Sequence, residues 1–188
     1  MIHSNPGVKP AAAATGECMD FAIEQATDKH IPVIYDIMRE CVAALPDPDY
    51  FVEDTPEIIA ERLDQGGFAL LARHGDAIAG FLLVDVPGKA ERNLGRDLGW
   101  AEEELVRSAH IDIVCVRPAH RGHGLQKRLV AEGERGLPRR GIVHSLATVH
   151  PCNIASLSSM LALGYRIGAT REKYGGVLRH VLFKRLAE

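Results

Sequence analysis

Long hydrophobic runs are missing from this chain. In its 188 residues no apolar stretch approaches the ~20 residues that a membrane-spanning helix needs, so no membrane association is expected. Aromatic residues are scarce, with one Trp, four Tyr and five Phe, and the formal net charge is only −3. Nucleic acid is a poor partner for such a chain, which lacks both the positive excess and the stacking surfaces that binding draws on. No CxxC pair joins the four cysteines Cys18, Cys41, Cys115 and Cys152. Reduced thiols and a cytoplasmic location are therefore expected rather than a disulfide framework. The nine histidines show neither HExxH nor a Cys/His zinc spacing, which argues against a metal site. Nor does Gly-Lys-Ser/Thr follow any glycine turn, which excludes a P-loop hydrolase.

What is present has ordinary globular proportions, 46% hydrophobic and 25% charged. The first residues carry Asn5-Pro6-Gly7 and the run Ala11 to Ala14, without the apolar core of a secretory signal. Residues 1–18 are read as a flexible tail and 19–188 as one domain. Charge is uneven along the chain. Residues 117–140 hold seven basic and two acidic side chains, whereas 47–64 hold seven acidic ones against Arg62. An anion should prefer the first region and a cation the second, unless both are merely solvated helix faces.

The apolar pattern predicts β-helix-helix-β-β-β-helix-β-helix-β-β. Strands are expected near 21–26, 68–73, 78–86, 110–116, 146–149, 166–171 and 178–186, with helices over 28–45, 56–63, 125–137 and 154–163. Asp28 and Thr55 are the candidate caps of the first two helices. Residues 87–108, with Trp100, read as a short helix or a lid. One β-helix-β crossover in this order implies a mixed α/β sheet with helices on both faces.

The densest signal is Val114-Cys-Val-Arg-Pro-Ala-His-Arg-Gly-His-Gly-Leu-Gln126, a strand, a glycine turn and the start of an amphipathic helix. Glycines permit positive φ, so successive amides converge on an anion, and the helix N-terminus adds its unpaired donors. Arg121 is a further phosphate partner. The arrangement suits a nucleotide-like cofactor.

Two segments in this element order resemble the GNAT superfamily of acetyl-CoA-dependent N-acyltransferases. Arg121-Gly122-His123-Gly124-Leu125-Gln126 is similar to its Arg/Gln-x-x-Gly-x-Gly/Ala turn, with Gln126 in place of the last small residue. Val149-His-Pro-Cys-Asn153, then Ser156 and Leu163-Gly164-Tyr165, is similar to its strand-Asn-helix-Gly-aromatic segment, about 30 residues further on. The resemblance implies a mostly antiparallel sheet of about seven strands with about four helices, splayed between the fourth and fifth strands. It implies acetyl-CoA as co-substrate, with its pyrophosphate on the amides of Gly122 to Gln126, including those of His123, Gly124 and Leu125. The pantetheine would pair with the edge of Val114, Cys115 and Val116, and Asn153 would face the same arm. An amide near Cys115 or Val116 would polarise the thioester carbonyl.

For the base, the family's pattern points to His110 and Asp112, two apart on one strand face; histidine has the pKa better suited to the task. Each could equally be structural. The family's usual acid is a tyrosine four residues before the helix-ending glycine, but Met160 stands there. Tyr174, beside Gly175-Gly176, is the substitute candidate, against a plain packing role in the turn. Cys152 invites an acyl-cysteine route, against the simpler expectation of a buried thiol. The resemblance thus implies direct acetyl transfer to a primary amine in a ternary complex. The acidic stretch 47–64 hints at a cationic small-molecule or peptide acceptor. The competing reading is a CoA-binding module without turnover, and a homodimer is expected on general grounds.

Overall fold

The computed structural model describes residues 20–187, so the expected tail and Cys18 lie outside the described residues. Seven strands form one sheet in the order β1-β2-β3-β4-β5-β7-β6. They are β1 (Ala22–Gln25), β2 (Phe68–His74), β3 (Ala77–Asp85), β4 (Ser108–Val116), β5 (His144–Val149), β6 (Arg166–Lys173) and β7 (Val177–Arg185). The helices are α1 (Ile31–Ala43), α2 (Pro56–Asp64), α3 (Glu102–Leu105), α4 (Leu125–Arg135) and α5 (Ile154–Ala162). Every strand pairing is antiparallel except β4 with β5, which α4 connects. None of these helices is long and apolar enough to cross a membrane.

The sheet is covered on both faces because its central strands are apolar on both. On β3, Leu82 and Val84 join a core with Leu125, Leu129 and Val130 of α4. Their neighbours Phe81 and Leu83 join a second core with Ile34, Ile37 and Met38 of α1 and Ile59 of α2. Alternation with period two sends consecutive side chains into opposite layers. Gly133 of α4 lets the helix settle on β3, since a Cβ there would lie 2.4 Å from Leu82 Cδ2.

Expected boundaries shift in places. The first helix opens as a 3-10 turn over Asp28–His30, capped from Thr27 rather than from Asp28, and becomes α-helical only at Ile31. Residues 87–108 form a 3-10 turn (Leu94–Leu98) and the single-turn α3, which makes five helices rather than four. This segment is a packed element and not a free lid. Leu94 is buried against Leu146 and Val181, with Trp100 and Phe183 beside them. Asn93, 1% exposed, holds it by donating to the carbonyls of Gly88 and Leu105 and to Ser108 Oγ.

Candidate active site

The parallel pairing of β4 and β5 covers only Ser108, Ala109 and His110 opposite His144, Ser145 and Leu146. Beyond that point the strands separate, and Ile111 to Val116 and Ala147 to Val149 face each other across a cavity of about 480 Å³. The separation begins at a bulge. On β3, Leu83 pairs with Ile113 and Val84 with Ile111, which leaves Asp112 as the extra residue. A bulge bends its strand and re-aims the unpaired side chain. Asp112 therefore stands where the cleft opens.

At the other end of the cleft, Gly122 and Gly124 have φ of +85° and +69°, and Gly124 caps α4. A Cβ on either would meet nothing within 4 Å, so glycine is required here by backbone conformation. Within the described residues the amides of Gly122 to Lys127 donate no backbone hydrogen bond, so this turn presents a row of free N–H groups. Arg121, Gly122, Gly124, Leu125 and Gln126 line the cleft. His123 does not; its ring lies 6.1 Å from that of Phe21. The Arg121 side chain folds back to donate from Nε to the Val116 carbonyl at 3.2 Å. Gln126 spans to Ser156 Oγ on α5 at 3.4 Å.

Val114, Cys115 and Val116 all line the cleft, but their amides point in different directions. Arg117 donates its N–H to Ala79 on β3. Strand alternation then turns the Cys115 amide toward β3 and those of Val114 and Val116 toward the cleft. The Val116 carbonyl on that side also accepts from Cys41 Sγ at 3.3 Å. Asn153 caps α5 through Oδ1, which accepts from the Ser156 amide at 3.2 Å, and it too lines the cleft.

A second cavity of about 300 Å³ shares Asp54, Ile111, Asp112, Thr148 and Tyr174 with the first. The rest of its wall is highly charged. Asp85, 1% exposed, takes two hydrogen bonds from Arg92 at 2.9 and 3.1 Å, and Arg62 Nε lies 3.8 Å from Asp85 and 3.5 Å from Asp112. His110 is also in this wall but buried. Its Nε2 accepts from the Leu94 amide at 3.2 Å, and its Nδ1 is 4.0 Å from Asp85. Burial outweighs the pull of Asp85 and holds the imidazole down at about 4. Asp112, its side chain 26% exposed, moves the other way. Desolvation, with the carboxylates of Asp54 and Asp85, pushes it up to about 7 against the pull of Arg62. The order anticipated from unperturbed values is reversed.

Tyr174 adopts φ +53°, and its hydroxyl lies 3.4 Å from Thr148 Oγ1, with the ring in the wall common to both cavities. The residue is half exposed, and desolvation of its hydroxyl in the cleft wall pushes the pKa up. Met160 is buried in the core and borders the cleft without a protic group. Cys152 is exposed rather than buried, and its amide donates to His150 Nδ1. Of the acidic stretch, Asp54 is the residue that lines both cavities, and burial raises its carboxyl. Thr148, Arg62, Asp85 and Arg92 had no motif to mark them. Only the meeting of β3, β5, α2 and the 87–108 segment brings them together.

The sequence profile described as the Acetyltransferase (GNAT) family matches residues 31–165, and the chain belongs to that family. Among solved structures, the ribosomal-protein-S18-alanine N-acetyltransferase of Escherichia coli is 16% identical, with a TM-score of 0.68 over 90% of this chain and 96% of that one. YncA of Salmonella typhimurium, solved with its cofactor acetyl-CoA, is 20% identical at a TM-score of 0.66, over 90% and 95%. The PaiA N-acetyltransferase of Thermoplasma acidophilum, in complex with coenzyme A, is 14% identical at 0.63, over 89% and 100%. No curated protein sequence matches the chain.

Proposed function

We propose that this protein transfers the acetyl group of acetyl-CoA to a primary amine by direct attack within a ternary complex. The observation that carries the proposal is the single cleft that leads from a row of free amides to a bulged carboxylate. The amides of Gly122 to Gln126 receive the pyrophosphate, and the edge of β4 from Val114 to Val116 pairs with the pantetheine. Acetyl-CoA and CoA in related structures support the choice of cofactor.

Asp112 serves as base. With its pKa near 7 it is partly ionised at neutral pH and takes a proton from the acceptor ammonium. The neutral amine attacks the thioester carbon, and a cleft-facing amide of Val114 or Val116 stabilises the oxyanion. Collapse breaks the C–S bond; Tyr174, linked to Thr148, protonates the departing thiolate, and the surplus proton on the attacking nitrogen leaves to solvent, from which the tyrosinate is reprotonated. His110, neutral and engaged with Leu94, positions the packed 87–108 segment against β4 instead of moving protons. A cytoplasmic setting, with Cys41 and Cys115 kept as thiols, belongs to the same reading.

The test begins with thermal melts in excess acetyl-CoA, with ATP and NAD as controls. Saturation at 100 times Kd adds ~2.7 kcal/mol, or roughly 5–10 °C for a chain of this size. Thiol release is then followed over a panel of amines. Asp112→Asn is expected to lower kcat by about 10²–10⁴-fold and to erase the rise in rate near pH 7, with the coenzyme melt shift intact. Tyr174→Phe should lower kcat with little change in KM. Met160, in place of a protic residue, favours a second reading: a melt shift without turnover of any amine would make the protein a CoA-binding module.

A further inference from the structure

Arg179, on β7, is 3% exposed and lines the cleft. Nη1 donates to the Tyr50 carbonyl at 3.3 Å, and the guanidinium lies 5.9 Å from the centroid of the Tyr174 ring. Among the described residues no carboxylate comes within the 4.0 Å of an ion pair, and Nε and Nη2 make no hydrogen bond, yet neither atom is sealed from the cleft. Arg121, which also lines the cleft, has no carboxylate either but is assigned to the coenzyme phosphates. The arginines beside the second cavity and at the end of β4 have acidic partners. Arg92 is paired with Asp85, Arg62 lies beside Asp85 and Asp112, and Arg117 is bound to Glu40. A cation this deeply buried with no carboxylate in contact, and only Asp49 acting on it at longer range, is costly, so its natural partner is an anion that enters the cleft.

The position says which anion. Val149 of β5 pairs with His180, so Arg179 stands next to that pair, toward the lip built by Tyr50 and Phe51 between α1 and α2. Coenzyme phosphates are assigned to the start of α4, which follows β4 on the other side of the cleft from β7. Tyr174 ties the two halves of the argument together, since its ring faces Arg179 and also shares the cavity wall with Asp112.

We propose that Arg179 anchors a carboxylate on the acceptor, and that the acceptor class is a small free amino acid whose amine is delivered to Asp112. The guanidinium fork binds a carboxylate in two parallel hydrogen bonds, which fixes the orientation of the amine as well as its presence. A carboxylate could also arrive on the acyl group of a dicarboxylic acyl-CoA, and the test separates these sources. The inference rests on the acetyltransferase reading above.

The experiment uses the whole protein, acetyl-CoA and a panel of L-amino acids, each supplied as the free acid and as its amide. Thiol release is measured for the wild type, R179Q and R179K, after melts with and without acetyl-CoA establish folding and coenzyme binding. The wild type should prefer acids to amides by about 10–100-fold in kcat/KM, a difference that R179Q reduces to near one and R179K reduces in part. A packing role for Arg179 would instead lower the rates on acids and amides alike. Should R179Q fail to fold, R179K and the wild-type acid-to-amide ratio decide. Equal rates on both, a preference for amides or for peptide amines, or no acceptor in either series despite a melt shift, each overturns the inference and leaves coenzyme binding standing. A melt shift larger with succinyl-CoA than with acetyl-CoA, and lost in R179Q, reassigns the carboxylate to the acyl group and overturns the acceptor assignment. No melt shift with any acyl-CoA removes the acetyltransferase reading itself.

Discussion

Asp112 and His110 stand two residues apart on one strand and are driven in opposite directions by their surroundings. The imidazole is enclosed and hydrogen-bonded, which disfavours its cation; the carboxyl is crowded by Asp54 and Asp85, which disfavours its anion. Linkage gives each a signature in stability. His110 titrates at about 4 in the folded chain and near 6.5 when unfolded, so the stability it contributes above pH 6.5 is lost as pH falls toward 4. Asp112 is raised from 3.8 to about 7, so the folded chain keeps a proton that the unfolded chain has released. Its contribution is full below pH 3.8 and is lost as pH rises through 7. The melting temperature of Asp112→Asn relative to the wild type should accordingly climb between pH 4 and pH 8, as paired melts would show. A constant difference across that range would place Asp112 in an unperturbed environment.

Gly124 makes a second residue-scale point. With φ at +69° and open space where a side chain would stand, it is fixed by conformation and, in the proposed placement, by the approach of the coenzyme. Gly124→Val should abolish measurable CoA binding in calorimetry, while the melting temperature without coenzyme falls by roughly 2–12 °C, because a strained β-branched residue costs ~1–3 kcal/mol. Normal CoA affinity in this variant would remove the phosphate turn from the site.

At the scale of elements, the cleft depends on how closely α4 can lie against β3. Gly133→Ala drives a methyl toward Leu82, which is buried and has little room to move. Overpacking of this kind costs about 1–3 kcal/mol, and the helix whose N-terminus cradles the phosphates should shift outward. Denaturant unfolding should report the loss of stability, and CoA affinity should weaken in parallel. A buried network braces the same helix from its other side. Tyr165 donates to Glu134 of α4 at 2.7 Å and lies 2.5 Å from Ser145 Oγ on β5, and Lys184 of β7 pairs with Glu134 at 2.6 Å. Glu134 is thus a positioning residue for α4, although in the sequence it reads as one acid within a basic stretch.

Across the whole molecule, charge is divided between the two ends of the cleft. Of the basic residues in 117–140, Arg117, Arg121, Lys127 and Arg128 flank the phosphate turn, while Arg135, Arg139 and Arg140 lie at the far end of α4. The carboxylates of Asp54, Asp85 and Asp112 gather at the second cavity. Raising salt from 50 to 500 mM should therefore weaken CoA binding several-fold, because phosphates held at an exposed turn are screened within a Debye length of roughly 10 Å at 0.1 M. Binding of S-acetyl-pantetheine, which lacks the phosphates, should hardly change. A flat salt dependence for CoA would mean that the basic stretch is only a solvated surface.

The sequence by itself determined the order of the strands and the main helices, the crossover through α4 and the glycine turn at its start. Each of these is written in local signals: alternation along a strand, a stripe along a helix, and glycines where φ must be positive. It also brought Asp112 and Tyr174 forward as candidates, through residue type and position relative to the turn. Tertiary structure alone decided in which directions His110 and Asp112 shift, since burial and neighbouring charge come from α2, β3 and the 87–108 segment, far away in the chain. It decided, through the bulge opposite Leu83 and Val84, where β4 leaves β5, and it turned the Cys115 amide away from the cleft. It also brought Arg179 to the cleft without a carboxylate. A lone arginine in a β-strand carries no pattern, and its lack of a partner is a property of everything folded around it.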